Sequence, residues 1–188
     1  METILMVCVG LGLAASCGFR VFVPPLIMSI AAITGYIQLS PELAWMGSYP
    51  ALIVFAVATA VEIAGYYIPW VDNMLDTITT PTAVVVGAIV MASTITDMSP
   101  ALKWSLTVIA GGGTAATIQG ATCIIRAASS LTTGGVANPV VSTVEAGGSV
   151  LLSILAVIAP FITICIVAVI LIISLKKIYR NVWKVKKL

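Results

Sequence analysis

Long uncharged apolar stretches dominate this sequence and decide the solvent in which it can fold. The stretches Trp104–Ile125 and Ser149–Ser174 carry no charged residue. A helix needs about 20 apolar residues to cross the hydrocarbon core of a bilayer, and both stretches reach that length. Of the 188 residues 60% are hydrophobic and 9% are charged, whereas a soluble domain carries roughly 25% charged residues. The sequence therefore predicts an integral membrane protein.

The predicted fold is all-α and polytopic, with five to six membrane-embedded segments. Five spans are predicted at Thr3–Phe22, Tyr49–Ile68, Thr80–Thr96, Trp104–Ile125 and Ser149–Ser174. A further uncharged run, 26–39, follows Pro24-Pro25. The first 39 residues form either one long kinked helix or a helical hairpin that turns back inside the membrane. We therefore expect broken or re-entrant helices.

Prolines predict where the other helices begin or bend. Thr80-Pro81 and Asn138-Pro139 each read as an N-cap residue followed by proline in the first turn, which is a favourable helix start. Pro160 predicts a kink in the last span. The segment 127–148 opens with an uncharged Ser/Thr/Gly loop, which either stays outside the membrane or re-enters it.

The basic end of the chain predicts its orientation. Six of the nine basic residues lie in the last thirteen positions. By the positive-inside rule, 176–188 is a basic cytoplasmic tail, attracted to anionic lipid headgroups, and nucleic acid is not needed to explain it. Residues 1–175 form a single transmembrane domain in the cell (inner) membrane. Whether the N-terminus lies inside or outside stays open, because it depends on the number of crossings.

Two similar small-residue patterns suggest an internal repeat. The patterns are Gly10-x-x-x-Ala14-x-x-x-Gly18 and Gly112-x-x-x-Ala116-x-x-x-Gly120, each followed by an isolated arginine. Such faces let a neighbouring backbone approach closely. Halves 1–97 and 98–175 would then be inverted in the membrane, as in many transporters; the alternative is ordinary close packing of helices. The small faces also predict a homodimer or larger assembly.

The stretch around the first arginine resembles a family signature. Residues 18–24 read Gly-Phe-Arg-Val-Phe-Val-Pro, which is similar to the Gly-Leu-Arg-x-Phe-x-Pro signature of the small prokaryotic membrane proteins called domain of unknown function 4126. Further similar stretches are 71–76, 79–81 and 133–139 with Ser142 and Glu145. The chain departs from the family pattern at Phe19, where leucine is usual, and at Ala146, where a second acidic residue is frequent. The resemblance implies an integral membrane protein and leaves its activity open.

Isolated charges inside apolar stretches are the candidate functional residues. An arginine at the bilayer centre costs about 2.5–3.5 kcal/mol on insertion scales, so it is normally paired or functional. For Arg20 and Arg126 the alternative is an interfacial position with a snorkelling side chain. Guanidinium groups suit phosphate or carboxylate, and a helix start at Asn138 would direct free N–H groups at the same anion. The predicted substrate-binding residues are Arg20, Arg126, Thr133, Asn138 and Ser142.

Four acidic residues are predicted to balance these charges or to couple a proton or cation. They are Glu62, Asp72, Asp76 and Glu145. Glu62 lies inside a predicted span, and its alternative role is to pair with an arginine only to hold helices together. The two aspartates share a helix face, and for them the alternative is a solvated loop. Tyr66, Tyr67 and Trp70 predict an aromatic belt at the membrane interface.

Several function classes are excluded by the residues available. The chain has no histidine, no Ser-His-Asp or Cys-His pattern and no P-loop, so we expect no enzyme, metal or cofactor. The predicted function is a membrane transporter, channel or lipid flippase that handles a small anion or a phosphate-bearing lipid. One alternative is a non-transporting scaffold or assembly partner, in which the buried charges specify helix packing. Another is a small ion channel lined by the Ser/Thr/Gly loop.

Overall fold

The computed structural model describes residues 2–68 and 71–185, which form an all-helical fold without a strand in this described part. The helices are α1 (Glu2–Cys17), α2 (Val23–Ile33), α3 (Tyr49–Tyr66), α4 (Val71–Thr94), α5 (Pro100–Leu106), α6 (Gly113–Thr133), α7 (Asn138–Ile158) and α8 (Pro160–Val185). A 3-10 helix, Pro41–Gly47, precedes α3, and a π-helical segment, Thr107–Gly112, joins α5 to α6. The prediction of an all-α fold is confirmed.

Five helical segments are long and apolar enough to cross a membrane. They are Tyr49–Tyr66, Met74–Thr94, Pro100–Thr133, Asn138–Ile158 and Pro160–Arg180. Large apolar side chains such as Val57, Val144 and Ile162 face outward from these segments, as expected where lipid is the solvent. The chain is therefore a helical multi-pass membrane protein. The predicted first span is not among the five, because α1 has only 16 residues and ends before Arg20.

The chain from α1 to α2 forms a helical hairpin rather than one kinked helix. The start of α1, around Leu5, and residues 36–38 beyond α2 line the same cavity of about 430 Å³, so both helices have these ends on the same side of the protein. Pro24-Pro25 lies in the first turn of α2, where a missing N–H removes no helical hydrogen bond. The hairpin tip, residues 18–22, therefore places Arg20 inside the bundle, where it is buried.

α1 is the central helix, and small residues let its neighbours approach. It packs against α4, α6, α7 and α8. A Cβ at Gly18 would lie 2.7 Å from the carbonyl oxygen of Ala115, so only glycine fits between the end of α1 and α6. A Cβ at Gly10 would lie 3.1 Å from Met91 Cα of α4. This small-residue face is used within one chain, and it is not free for the predicted contact between copies.

α4 begins nine residues before the predicted helix start and continues through Pro81. The predicted start at Thr80-Pro81 is therefore wrong. The hydroxyl of Thr80 donates to the carbonyl oxygen of Asp76 at 2.6 Å, close to the backbone bond that proline removes. Threonine hydroxyls and packed neighbours make proline tolerable inside membrane helices, since they satisfy the freed backbone groups.

α6 continues for seven residues beyond Arg126, where the sequence predicted a loop. The hydroxyls of Thr132 and Thr133 each donate at 2.8 Å to the carbonyl oxygen four residues earlier. Gly134 then ends the helix in the left-handed conformation, with φ of 63°. Only residues 134–137 separate α6 from α7. The predicted Ser/Thr/Gly loop is therefore mostly helix, and its non-helical part is the turn at residues 134–137.

The predicted last span is two helices. α7 ends at Ile158 and α8 begins at Pro160. Leu152 and Val167, at nearly equal distances along the chain from this break, lie in one apolar cluster, so the chain reverses here. The prediction of a kink at Pro160 is therefore wrong. α8 continues as helix to Val185, which makes the first part of the predicted tail helical; residues 186–188 and the Trp183 side chain lie outside the described residues.

Candidate functional site

Five side chains from separate parts of the chain meet inside the bundle, and we call them the arginine cluster. They are Arg20 of the hairpin tip, Tyr66 of α3, Asp76 of α4, Arg126 of α6 and Glu145 of α7. All except the partly exposed Asp76 are buried. At about 1.5 Å rise per residue, Arg126 and Glu145 lie roughly 10 Å inside the ends of their helices. Arg126 and Glu145 are therefore buried charges well inside two of the candidate membrane spans, while Tyr66 and Asp76 lie near the ends of theirs and Arg20 lies at the hairpin tip.

One carboxylate oxygen, Glu145 Oε2, faces both guanidinium groups. Arg126 Nη2 donates to it at 2.6 Å, and Arg20 Nη1 lies 3.3 Å from it. Arg126 Nη1 also pairs with Asp76 Oδ1 at 2.5 Å. Two guanidiniums thus face two carboxylates, and the formal charges of the arginine cluster balance.

Tyr66 lies against both arginines. The guanidinium carbons of Arg20 and Arg126 lie 3.9 Å and 4.2 Å from the centre of its ring, within the range of cation–π contacts. The Tyr66 hydroxyl donates to Asp76 Oδ1 at 3.2 Å and lies 3.0 Å from Thr79 Oγ1. The ring attracts both cations electrostatically, which helps to hold two like charges close together.

The carboxylate of Glu62 holds the hairpin tip. It accepts hydrogen bonds from the backbone N–H groups of Val21, at 2.7 Å, and Phe22, at 3.0 Å. These donors precede the first turn of α2, where helix geometry leaves N–H groups unpaired and favours negative charge. Within the described residues, no ion pair shorter than 4 Å joins Glu62 to an arginine. Glu62 therefore positions the segment that carries Arg20 and does not form the predicted direct pair.

Asp72 and Asn138 form a separate polar contact nearer the helix ends. Asn138 Nδ2 donates to Asp72 Oδ2 at 2.7 Å and to Ser130 Oγ at 2.9 Å. α7 begins at Asn138 as predicted, but its N-cap residue is Ala137 and makes no side-chain capping bond. Asn138 thus meets Asp72 about two helical turns before Glu145, which separates it along α7 from the carboxylate that pairs with Arg126.

Ser142 and Thr133, both predicted to contact substrate, lie in different surroundings. Ser142 is buried, and its backbone carbonyl oxygen accepts a hydrogen bond from Arg20 Nη2 at 3.0 Å. Thr133 is exposed at the end of α6, where its hydroxyl donates to the Ser129 carbonyl oxygen. The fold therefore brings Ser142 to the arginine cluster and leaves Thr133 outside it.

Several buried polar atoms of the arginine cluster have no hydrogen-bond partner in the described part of the chain. They are Arg20 Nε, Arg126 Nε and Glu145 Oε1, and Arg20 Nη1 has only its ion pair with Glu145. Leaving a buried polar group unpaired costs about 1–3 kcal/mol, and native proteins contain few such groups. The arginine cluster therefore has more hydrogen-bonding capacity than its own residues use.

Sequence reasoning missed three polar residues of this region: Tyr66, Thr79 and Gln119. Tyr66 was predicted to belong to an aromatic belt with Tyr67 and Trp70, but it is buried. Tyr67 is exposed, as the belt requires, and Trp70 lies outside the described residues. The spacing held a signal, because Tyr66 follows Glu62 by four residues and shares its helix face. Thr79 and Gln119 are joined by a hydrogen bond of 3.2 Å. Thr79 lies in the family-like stretch 79–81, which gave it no predicted role, and Gln119 belongs to no motif.

Fold and site together define a helical multi-pass membrane protein with a buried, formally neutral arginine cluster. Within that class, the family model described as "Domain of unknown function (DUF4126)" matches residues 7–180, and the chain belongs to this family. The resemblance at residues 18–24 is thereby confirmed. No curated protein matches the chain, and no solved structure matches it.

Proposed function

We propose that this chain is a secondary transporter or lipid flippase that binds an anionic group, a phosphate or a carboxylate, at Arg20 and Arg126. The observation that carries the proposal is the approach of both guanidiniums to one anionic oxygen, Glu145 Oε2. Guanidinium groups bind phosphate and carboxylate oxygens in the same way. Glu145 here occupies the position proposed for a substrate oxygen, and the unpaired donors of the cluster are available for further substrate oxygens.

Charge balance implies that a proton accompanies the anion. The arginine cluster is neutral as it stands, so a bound monoanion adds one uncompensated negative charge to a buried site, which is costly. A proton on Glu145 removes that charge and also releases its carboxylate from the two arginines. Asp76 remains paired with Arg126. The transported unit is then the anion together with one proton, and Glu62 and Asp72 are proposed as further carboxylates that balance charge by taking up a proton.

The α1–α2 hairpin supports this proposal through its position. Transporter sites commonly form where helices break near the membrane midplane. Arg20 lies at the break between α1 and α2, and its flanking backbone is held by Glu62 of α3. Protein contacts of this kind are what non-helical backbone needs at membrane depth. We propose that α1–α2 is a re-entrant hairpin and that halves 1–97 and 98–175 contribute one arginine each.

Orientation and assembly complete the proposal. The basic residues at the end of α8, among them Lys176 and Arg180, favour a cytoplasmic C-terminus at the cell (inner) membrane, beside anionic lipid headgroups. Five spans then place the N-terminus on the opposite side. We propose a homo-oligomer, since 188 residues are few to enclose a transport pathway.

A thermal-shift assay on the purified protein tests anion binding directly. The probes are inorganic phosphate, small carboxylates and phosphatidic acid. A ligand at about 100 times its dissociation constant should stabilise the wild type by about 2.7 kcal/mol. Glu145→Gln should bind the same anion more tightly, because the internal competitor has lost its charge.

Two further variants make the assay specific. Arg126→Ala should lose the anion-dependent shift. Lys103→Ala is the matched control, since it removes a buried cation that pairs with Glu42, outside the arginine cluster, and it should keep the shift. If no anion stabilises either the wild type or Glu145→Gln, the proposed function is wrong.

A scaffold or assembly partner is the second candidate, and a different observation favours it. Arg126 joins Asp76 of α4 to Glu145 of α7, so one side chain ties three helices together. If packing is the whole role of these charges, Glu145→Gln lowers the free energy of unfolding and gains no affinity for any anion.

A further inference from the structure

The cavity of about 430 Å³ at the start of α1 opens at the end of the bundle opposite the basic end of α8. Part of its lining comes from the break between α7 and α8, and α8 runs from this break to the other end of the bundle. Val9 of α1 and Val157 of α7 both line the cavity. These two helices therefore meet at the cavity wall.

From the cavity inward, α1 and α7 run antiparallel along one contact, which we call the α1–α7 seam. The paired residues are Gly12 with Ala156, Ser16 with Ser149, and Arg20 with Glu145. Each pair lies four residues further along α1 than the one before, which is about one helical turn. The seam therefore leads from the cavity to the arginine cluster over about three turns.

Small side chains close the seam. A Cβ at Gly12 would lie 2.8 Å from the Cβ of Ala156, so the two helices touch there without a side chain on α1. Ser16 and Ser149 are fully buried, and the Ser149 hydroxyl donates to the Ser16 carbonyl oxygen at 3.0 Å. At these two pairs, no large side chain has to leave for the helices to separate.

Ser153 gives an independent indication that the seam serves a polar ligand. It is fully buried, and its Oγ has no hydrogen-bond partner in the described part of the chain. It lies four residues after Ser149 and four before Val157, so the three share one face of α7. An unpaired buried hydroxyl is unfavourable, and apolar packing does not need one. Glu145 Oε1, at the inner end of the seam, is also unpaired.

We propose, on the basis of the anion-binding function above, that the α1–α7 seam is the passage by which the anion and its proton move between the cavity and the arginine cluster. Ser149 and Ser153 line this passage, and their hydroxyls both donate and accept hydrogen bonds, as an anion and a protonated group require. The chain segments of the seam, 9–19 and 146–157, contain no charged residue, so no fixed charge traps the anion on its way. The packed seam is the closed form, and α1 and α7 open it by separating.

Cysteine labelling tests the passage without a known substrate. The full-length protein is placed in lipid nanodiscs, whose two faces are both open to the reagent, and treated with an anionic methanethiosulfonate, which modifies thiols that water reaches. Peptide mass spectrometry follows each introduced cysteine separately from the four native ones. Because separation of the helices exposes the seam, Ser153→Cys and Ser149→Cys should react about tenfold faster than an equally buried control.

Ser93→Cys is the matched control. Ser93 is as buried as the seam serines and directly precedes Thr94 of the cavity lining, but its hydroxyl contacts Met28 of α2, away from the seam. Ser16→Cys and Ala156→Cys replace Ser149→Cys and Ser153→Cys if either does not fold.

The order of labelling decides the inference. Entry from the cavity requires Ser153→Cys to react faster than the deeper Ser149→Cys, and both to react faster than the control. The inference is overturned if the seam variants react like the control, if only Ser153→Cys reacts, or if Ser149→Cys reacts first. A phosphate-dependent thermal shift that persists in any of these cases leaves the anion site standing. If both seam variants are labelled but no anion stabilises the protein, the passage carries no anion and both proposals are wrong.

Discussion

Two buried cations lie on the continuous helical stretch Pro100–Thr133, and their partners differ. Lys103 is 4% exposed and Arg126 is 2% exposed, so burial of the cation does not distinguish them. Glu42, which pairs with Lys103 at 2.6 Å, has a side chain that is 70% exposed. The partners of Arg126 are much less exposed to solvent, with side-chain exposures of 17% for Asp76 and 6% for Glu145.

The difference lies in how much water the anion keeps. An exposed carboxylate stays hydrated and screened, and such pairs contribute about 0–1 kcal/mol. A carboxylate removed from water depends on its partner, and breaking a buried pair costs about 3–5 kcal/mol. Burial of the whole pair therefore marks the candidate site in this chain, and burial of a single charge does not.

Among these substitutions, Arg126→Ala should cause the largest loss in the free energy of unfolding. It leaves Asp76 and Glu145 without this cation in a dry site, and we expect a loss of about 3–5 kcal/mol in the free energy of unfolding. Unfolding in mixed micelles, followed by circular dichroism, measures this loss. Arg126→Lys keeps the charge and should recover part of it. A loss below about 1 kcal/mol would make this pair equivalent to an exposed one.

Substitutions of Tyr66 should rank next. Tyr66→Leu removes the ring from both guanidiniums, and desolvated cation–π contacts contribute up to about 2 kcal/mol. Tyr66→Phe keeps the ring and loses the hydroxyl bond to Asp76, for a loss of about 1 kcal/mol. The same unfolding measurement orders the two variants. Equal losses would show that the ring contact adds nothing to the arginine cluster.

Lys103→Ala should destabilise the protein less than Arg126→Ala or the Tyr66 substitutions. Because its partner carboxylate is exposed, we expect a loss of about 1 kcal/mol or less. That loss should shrink in high salt, which screens exposed charges. Thermal unfolding of wild type and variant at low and high salt measures both expectations. A loss that is independent of salt and as large as that of Arg126→Ala would remove the contrast.

The smallest expected effect is the change with pH in the stability that the Lys103–Glu42 pair contributes. A hydrogen bond from Lys103, and then its charge, lowers the pKa of Glu42 below the ordinary value of 4.5. A carboxylate with a lowered folded pKa stabilises the fold above its unfolded pKa, and the contribution disappears as pH falls through the folded pKa. The difference in thermal stability between wild type and Glu42→Gln should therefore be present at neutral pH and vanish in acid. A difference that persists in acid would contradict this assignment.

Local sequence was sufficient to predict that lipid surrounds the chain, that the fold is all-helical, and that Arg20 and Arg126 are the notable cations. The scarcity of charge requires lipid, and lipid requires backbone hydrogen bonds within each segment, which predicts helices before any packing is known. Arg20 and Arg126 stand out because an isolated arginine between apolar stretches is costly unless it is paired. The family signature at residues 18–24 also depends only on neighbouring residues.

Tertiary structure alone decided which charges meet and where the chain turns. Arg126 pairs with Asp76 from 50 positions away and with Glu145 from 19 positions away, and no local pattern specifies such separations. Pro81 lies inside a helix while Pro160 begins one at a chain reversal, although proline removes the same N–H at both. What a proline or a buried charge does depends on the groups that packing brings to it, and in a membrane those groups come from other helices.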